Sequence, residues 1–132
     1  MTAADTLART IWGEARGEGE PGMMAVACVV LNRAKIPCWW GRDIESVCRA
    51  KWQFSCWNDG DPNQRKLQTV TTEDPVFADA CAIADEAAAG KLDDITNGAT
   101  HYIVTTMPNP PRWSIGITPC AVIGKHSFYK GV

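Results

Sequence analysis

The chain has 132 residues, of which 45% are hydrophobic and 21% charged, with a formal net charge of −2 at pH 7. This balance fits one globular domain with its own core and excludes a disordered chain. The negative net charge argues against a nucleic-acid partner, because nucleic-acid-binding proteins usually present a basic face. We therefore predict a single domain over residues 1–132, and we expect a monomer.

The N-terminal residues lack the pattern of a leader segment. No basic stretch followed by an apolar one occurs near Met1, and the longest uncharged run, residues 21–32, is too short to cross a bilayer. The sequence therefore predicts synthesis in the cytoplasm without a signal peptide, and no stable membrane insertion.

Six cysteines leave two interpretations open, a disulfide framework or free thiols. Cys28 and Cys81 lie in apolar helical patterns, where buried free thiols are common. Cys38 and Cys48 are the first candidates for a disulfide. No two cysteines have the short spacing of a zinc or redox site, so we expect no metal, no cofactor and no redox activity.

Two helices are predicted in the first third of the chain. Residues 4–16 have apolar side chains at helical spacing, with Asp5 as the predicted N-cap. The glycine-rich residues 17–21 then interrupt the pattern. Residues 22–34 are apolar nearly all round, which predicts a buried central helix that ends near Arg33.

The middle of the chain is predicted to be mostly loop. Residues 37–41 form a loop with two adjacent tryptophans, and Asp43 caps a short helix that runs through about Ala50. Residues 52–62 are dense in turn-forming residues, which predicts a second loop.

The last third combines one helix with a small β region. Asp74 followed by Pro75 predicts a helix start, and Gly90 closes that helix. Residues 99–104 predict a short strand, and residues 121–129 predict either a second strand or an ordered tail. The predicted fold class is therefore α+β and mainly helical, with the β and loop region in the C-terminal third.

Glu14 is the strongest candidate for a catalytic residue. It lies near a helix end, two residues after Trp12. An indole can desolvate a neighbouring carboxylate, which raises its pKa and keeps it protonated near neutral pH. Cleavage of a glycosidic bond needs such a general acid. The alternative is an ordinary surface glutamate in the last turn of a helix.

Glu18 follows Glu14 by four residues. On an unbroken helix both would share one face, and Glu18 could serve as a second carboxylate. The glycines at 17 and 19 interrupt the helix, which favours a solvated loop residue instead.

Two further polar groups could bind a sugar. The amide of Gln53, followed by Phe54 and Ser55, can both donate to and accept from sugar hydroxyls. Residues 97–102 place polar groups alternately along the predicted strand, and this patch, which includes His101, could orient a substrate. Each group also has a structural interpretation. The segment with Gln53 could be a loop held in place by its aromatic residues, and His101 could be a histidine whose hydrogen bonds serve only the structure. The six tryptophans fit either a core or a carbohydrate cleft.

Four segments of the chain resemble, in order, those of a known family. They are Ile11–Glu18; Gly22 with residues 25–27 and 30–33; Gln53–Asn58; and Gly98–Tyr102, followed by Trp113 and residues 123–129. Together they resemble the cell-wall hydrolase family of the bacterial spore-cortex-lytic enzymes, which also occurs among phage endolysins. The resemblance covers nearly the whole chain.

The resemblance implies a lysozyme-like fold and cleavage of the β-1,4 bond between N-acetylmuramic acid and N-acetylglucosamine in peptidoglycan. It assigns the catalytic acid to Glu14. Many members are lytic transglycosylases, in which one carboxyl group acts as acid and then as base. A hydrolytic muramidase and a glycan-binding module without turnover are the alternatives. The residues predicted to contact the glycan are Glu18, Gln53, Phe54, Ser55, Trp57, Thr100, His101 and Tyr102.

The resemblance also suggests a biological setting. A catalytic domain without a signal peptide or a wall-binding domain fits a phage endolysin, and a cytoplasmic bacterial copy is the alternative. Such an endolysin is made in the host cytoplasm and acts on peptidoglycan strands in the cell wall and periplasm during host lysis, with a holin as a partner for delivery.

Overall fold

A computed structural model describes residues 1–36, 38–51 and 53–132. Over these residues, five α-helices are followed by a small three-stranded sheet, which confirms the predicted α+β class. Single 3₁₀ turns lie at Arg16–Glu18, Ser55–Trp57 and Arg112–Ser114. The helices are α1 (Ala3–Ala15), α2 (Gly19–Lys35), α3 (Ile44–Arg49), α4 (Pro62–Thr69) and α5 (Pro75–Ala88), and the strands are β1 (His101–Val104), β2 (Ala121–Ile123) and β3 (His126–Tyr129).

The first helix starts two residues before its predicted cap. The Thr2 hydroxyl accepts a hydrogen bond from the Asp5 backbone N–H at 3.0 Å, so Thr2 is the N-cap and the prediction of Asp5 was wrong. The carboxylate of Asp5 instead accepts a hydrogen bond from Arg9 Nε at 3.0 Å. The predicted interruption is confirmed in part: α1 gives way to the 3₁₀ turn Arg16–Glu18, but α2 already begins at Gly19, three residues earlier than predicted.

The core lies between α1, α2 and α5. As predicted, α2 is buried along most of its length, and it passes through the centre of the molecule. Because apolar side chains on three helices face one another, their burial holds the end of α1 in a fixed position. The main contributors are Leu7, Ile11, Trp12, Met23, Val26, Ala27, Val30, Phe77, Ala80, Ile83, Ala84 and Ala87.

Two predicted helix starts are confirmed by their caps. Asp43 and Ser46 form a capping box at the start of α3, in which each side chain bonds to the backbone of the other. The Asp74 carboxylate accepts hydrogen bonds from the first turn of α5, and Pro75 occupies the first helical position. Gly90 follows this helix with a φ of +73°, a conformation that suits glycine.

Helix α4 was not predicted. Its eight residues are mostly polar, and only Leu67 is buried, so the segment lacks an apolar stripe. The cap was nevertheless visible in the sequence, because Asp61 and Pro62 repeat the Asp-Pro start of α5. Two residues in the predicted loops, Pro37 and Trp52, lie outside the described residues.

The sheet is antiparallel, with β3 between β1 and β2. The strand predicted at 99–104 is confirmed as β1, whereas residues 121–129 form two strands joined at Gly124. Phe128 of β3 is buried against Ala25 and Val29 of α2. This contact anchors the sheet to the central helix, and the pairing with β3 in turn positions β1.

All six cysteines are free thiols, and Cys38 and Cys48 are not joined by a disulfide. Cys28 is buried as predicted, whereas Cys81 is half-buried. No helix among the described residues combines the length and apolar character needed to cross a membrane.

Candidate active site

Five segments of the chain meet at a cleft of about 290 Å³. The end of α1 forms its floor, and the end of α2, residues 53–54, strand β1 and the turn Arg112–Ser114 form its walls. The cleft brings together Glu14 with residues from two predicted glycan-contacting segments, 53–54 and 101–102, that are far apart in the sequence. The lining residues are Glu14, Arg33, Gln53, Phe54, His101, Tyr102 and Trp113.

Glu14 is the one carboxylic acid among the described residues that line this cleft. Burial in the last turn of α1 raises its pKa, and the charge of nearby Asp61 raises it further. Hydrogen bonds from the side chain and backbone of Cys56 and from the hydroxyl of Tyr102 oppose this rise without cancelling it. Glu14 therefore keeps its proton to a higher pH than a solvated glutamate, as a general acid requires.

Two residues donate hydrogen bonds that hold the Glu14 carboxyl group in place. The Tyr102 hydroxyl donates to Glu14 Oε1 at 3.3 Å, and Cys56 donates through both its thiol and its backbone N–H. Burial raises the pKa of both groups, so the phenol and the thiol stay protonated and remain donors. Both can stabilise the carboxylate once Glu14 has given up its proton. The sequence did not identify Cys56 as a partner of Glu14, because neither its residue type nor its spacing indicated that role.

Removing the Tyr102 donor tests this arrangement. In Tyr102→Phe the ionised form of Glu14 loses a hydrogen bond, so the pKa of Glu14 rises further and the acid form persists to higher pH. We expect the basic limb of the pH profile of kcat/KM to move to higher pH, with maximal activity about 2- to 10-fold lower. Initial rates of glycan cleavage across the pH range check this result. A limb that moves to lower pH would contradict it.

Arg33 crosses the back of the cleft. Its Nε donates to the Thr100 carbonyl at 2.7 Å and its Nη1 donates to Gln53 Oε1 at 3.3 Å. The guanidinium lies 5.6 Å from the ring centroids of both Trp40 and Phe54. Because Gln53 accepts through its oxygen, its amide N–H groups are left to donate to a ligand.

The aromatic wall of the cleft is built around His101. Its ring centroid lies 5.8 Å from that of Trp40 and 4.9 Å from that of Trp113, and Trp113 packs against Tyr129. Burial, followed by the charge of Arg33, lowers the pKa of His101, so its ring is neutral at neutral pH. Such a wall presents flat faces on which the apolar side of a sugar can stack. Trp113 was not among the predicted binding residues, since it lies in a proline-rich loop far from the other segments.

The structure does not bring Glu18 into the cleft. Its Oε1 accepts a hydrogen bond from the Lys125 backbone N–H at 3.1 Å and lies 3.3 Å from His126 Nδ1. Its side chain is 18% exposed. Glu18 therefore ties the junction of α1 and α2 to the turn between β2 and β3. The ring of His126 in turn packs edge-on against Tyr102, with the centroids 5.4 Å apart.

Two substitutions distinguish this tie from a catalytic role. Glu18→Gln keeps an oxygen that can accept from Lys125, so we expect activity close to that of the parent chain. Glu18→Ala removes the acceptor and should lower the free energy of unfolding by about 1 kcal/mol. Thermal denaturation and cleavage rates check both, with the exposed Glu20→Ala as the matched control. A Glu18→Gln variant as inactive as one without Glu14 would show that Glu18 is the second catalytic carboxylate.

Three other predicted binding residues, Thr100, Ser55 and Trp57, do not line the cleft. Thr100 is buried, its carbonyl accepts from Arg33, and its hydroxyl lies 2.9 Å from His101 Nδ1, so it positions two cleft residues. Ser55 is exposed and does not line the cleft. Trp57 donates from its ring N–H to the Thr10 hydroxyl at 2.9 Å and lies in a neighbouring depression beneath Arg49.

The described part of the chain contains no group of three His, Cys, Asp or Glu side chains placed to hold a metal ion.

Comparisons with known proteins identify the family and the fold of the chain. A family model described as Cell Wall Hydrolase matches residues 17–129, a range that begins just after Glu14. Among solved structures, the catalytic domain of the germination-specific lytic transglycosylase SleB from Bacillus anthracis matches with a TM-score of 0.74 and 24% sequence identity. The match covers 97% of this chain and 93% of that one, which confirms the lysozyme-like, mainly helical fold. None of the curated proteins compared with the chain matches it.

Proposed function

Since this chain belongs to the cell wall hydrolase family, we propose that it cleaves the β-1,4 bond between N-acetylmuramic acid and N-acetylglucosamine in peptidoglycan. The observation that carries the proposal is Glu14, a half-buried acid with a raised pKa in a cleft with an aromatic wall. The similar structure of SleB, described as a lytic transglycosylase, supports the same type of reaction.

The first chemical step uses Glu14 as the general acid. Its proton moves to the glycosidic oxygen while the bond from that oxygen to C1 of the muramic acid breaks, which releases the N-acetylglucosamine end of the strand. The Glu14 carboxylate that remains is stabilised by the Tyr102 hydroxyl and the Cys56 thiol. Stacking against the aromatic wall and hydrogen bonds from Gln53 hold the sugar in place during this step.

We propose that the same carboxylate then acts as the base. It removes the proton from the 6-hydroxyl of the muramic acid, whose oxygen bonds to C1 and closes a 1,6-anhydro ring, so Glu14 regains its proton. This lytic transglycosylase route needs no second carboxylate, which fits a cleft with one acid. The carboxylate of Asp61 caps α4 through the Asn63 backbone N–H, and Glu18 is held by the β2–β3 turn.

Mass spectrometry of the released muropeptides tests both parts of this proposal. We expect products that end in 1,6-anhydro-muramic acid. Products that end in reducing muramic acid would show that the chain is a muramidase and not a transglycosylase, while the cleaved bond would be the one proposed. Products that end in reducing N-acetylglucosamine, or no release at all, would overturn the proposed bond.

The setting that we propose is host lysis by a phage endolysin made in the cytoplasm and released to the cell wall through a holin. Its support is the resemblance of the four segments to those of endolysins. Expression in a bacterial cytoplasm is expected to leave the cells intact until a holin is co-expressed. Lysis at the same rate without a holin would contradict this mode of delivery.

A further inference from the structure

Arg33 is a buried cation that has no carboxylate partner among residues 1–36, 38–51 and 53–132. Its side chain is in the wall of the Glu14 cleft, and the residue is 5% exposed. The two hydrogen bonds that it makes are to neutral oxygens, the Thr100 carbonyl and the Gln53 amide. The positive charge of the guanidinium is therefore not neutralised within the described protein.

Burying an unpaired charge is unfavourable, so its retention in a binding cleft points to a ligand that neutralises it. The rings of Trp40 and Phe54 flank the guanidinium at 5.6 Å each and limit its movement. A planar guanidinium held in this way matches the two oxygens of a carboxylate better than a single hydroxyl does.

We propose that Arg33 binds the lactyl carboxylate of muramic acid and makes the cleft prefer glycan strands whose lactyl groups are free of peptide. The inference rests on the proposed function, because it names the substrate of the same cleft. The lactyl group is attached to C3 of the sugar ring whose C1–O bond is cleaved. A strand seated with its glycosidic oxygen at Glu14 therefore has its lactyl group within the same cleft.

The proposal places the enzyme in a reaction sequence. Muramic acid in a mature strand carries its stem peptide through an amide bond to the lactyl group, and an amide has no negative charge. A free lactyl carboxylate arises when that amide bond is hydrolysed. A prior amidase reaction of this class therefore speeds cleavage by this chain, which cleaves peptide-bearing strands more slowly.

The substrate itself provides the test. Peptide-free strands are compared with the same strands after methyl esterification, which removes the charge of the lactyl group and keeps its shape. We expect the parent chain to have a kcat/KM about 10- to 100-fold higher on the free carboxylate. In Arg33→Gln this ratio should fall to about 1. In Arg33→Lys, which keeps the positive charge but lacks the two parallel N–H donors of the guanidinium, the ratio should be intermediate. Because the ratio compares two substrates of one preparation, partial unfolding of a variant does not change it.

Arg65→Gln is the matched control. Arg65 lies on the exposed side of α4, so its replacement removes one positive charge away from the cleft and should keep the ratio of the parent chain. A parent ratio near 1, a preference that persists in Arg33→Gln, or cleavage confined to peptide-bearing strands would overturn the role of Arg33 and leave the proposed function standing. Failure of the parent chain on every strand, with or without peptide, would instead overturn the proposed function.

Discussion

Glu14→Gln is expected to lower the rate of glycan cleavage by about 10²- to 10⁴-fold, the usual contribution of a general acid. Glutamine has nearly the same shape and can still accept from Tyr102, but it has no proton to give to the glycosidic oxygen. The release of muropeptides from purified peptidoglycan measures the effect. Glu20→Gln is the matched control, because Glu20 is exposed in the first turn of α2, away from the cleft. Equal rates for Glu14→Gln and the parent chain would show that Glu14 is not the acid.

The same substitution has an expected effect on stability. Burial raises the pKa of Glu14 in the folded state above its unfolded value, so the folded chain holds this proton more tightly. The stability that this proton contributes is fully present below the pKa of Glu14 in the unfolded chain. It is lost as the pH rises through the pKa of Glu14 in the folded chain. Glu14→Gln should therefore have a higher melting temperature than the parent chain at about pH 8. At about pH 4 the two melting temperatures should be nearly equal. Calorimetry at the two pH values checks this difference, and a larger gain at the lower pH would contradict the raised pKa.

Local sequence signals were sufficient to predict most of the helical core. The apolar pattern of α2 and the Asp-Pro start of α5 are signals contained within a few consecutive residues. Both helices are found close to where they were predicted. Glu14 was predicted for the same reason, since its position beside Trp12 near a helix end is visible locally. Helix α4 was missed because its one buried residue gives no apolar period, so only the cap indicated it.

The partners of the candidate acid could not be predicted, because they come from distant parts of the chain. Tyr102 lies 88 residues from Glu14, and their contact exists only once β1 has paired with β3 and β3 has packed on α2. The position of Glu18 likewise depends on the turn after β2, 107 residues away. A motif can identify the acid, but the tertiary fold determines which groups tune its pKa.

Gly13→Ala is expected to damage the site without replacing any side chain that takes part in the reaction. A Cβ at this position would lie 2.9 Å from Cys56 Cβ, 3.0 Å from its Sγ and 3.3 Å from Leu67 Cδ2. Atoms this close must move apart, so the turn that carries Cys56 is pushed away from α1. Alanine favours a helix over glycine by about 1 kcal/mol, whereas overpacking costs about 1–3 kcal/mol. The net expectation is a loss of about 0–2 kcal/mol in the free energy of unfolding.

The loss of activity should exceed the loss of stability. The displaced turn removes the Cys56 donor from Glu14, and a shift of about 1 Å in a catalytic group can lower a rate by about 100-fold. We expect a decrease of that order in kcat/KM at a temperature at which circular dichroism shows the variant to be folded. Gly17→Ala is the matched control: an added Cβ there meets no atom within 4 Å, so both stability and rate should stay near those of the parent chain. A Gly13→Ala variant with the parent rate would mean that the contact between α1 and the Cys56 turn does not position the acid.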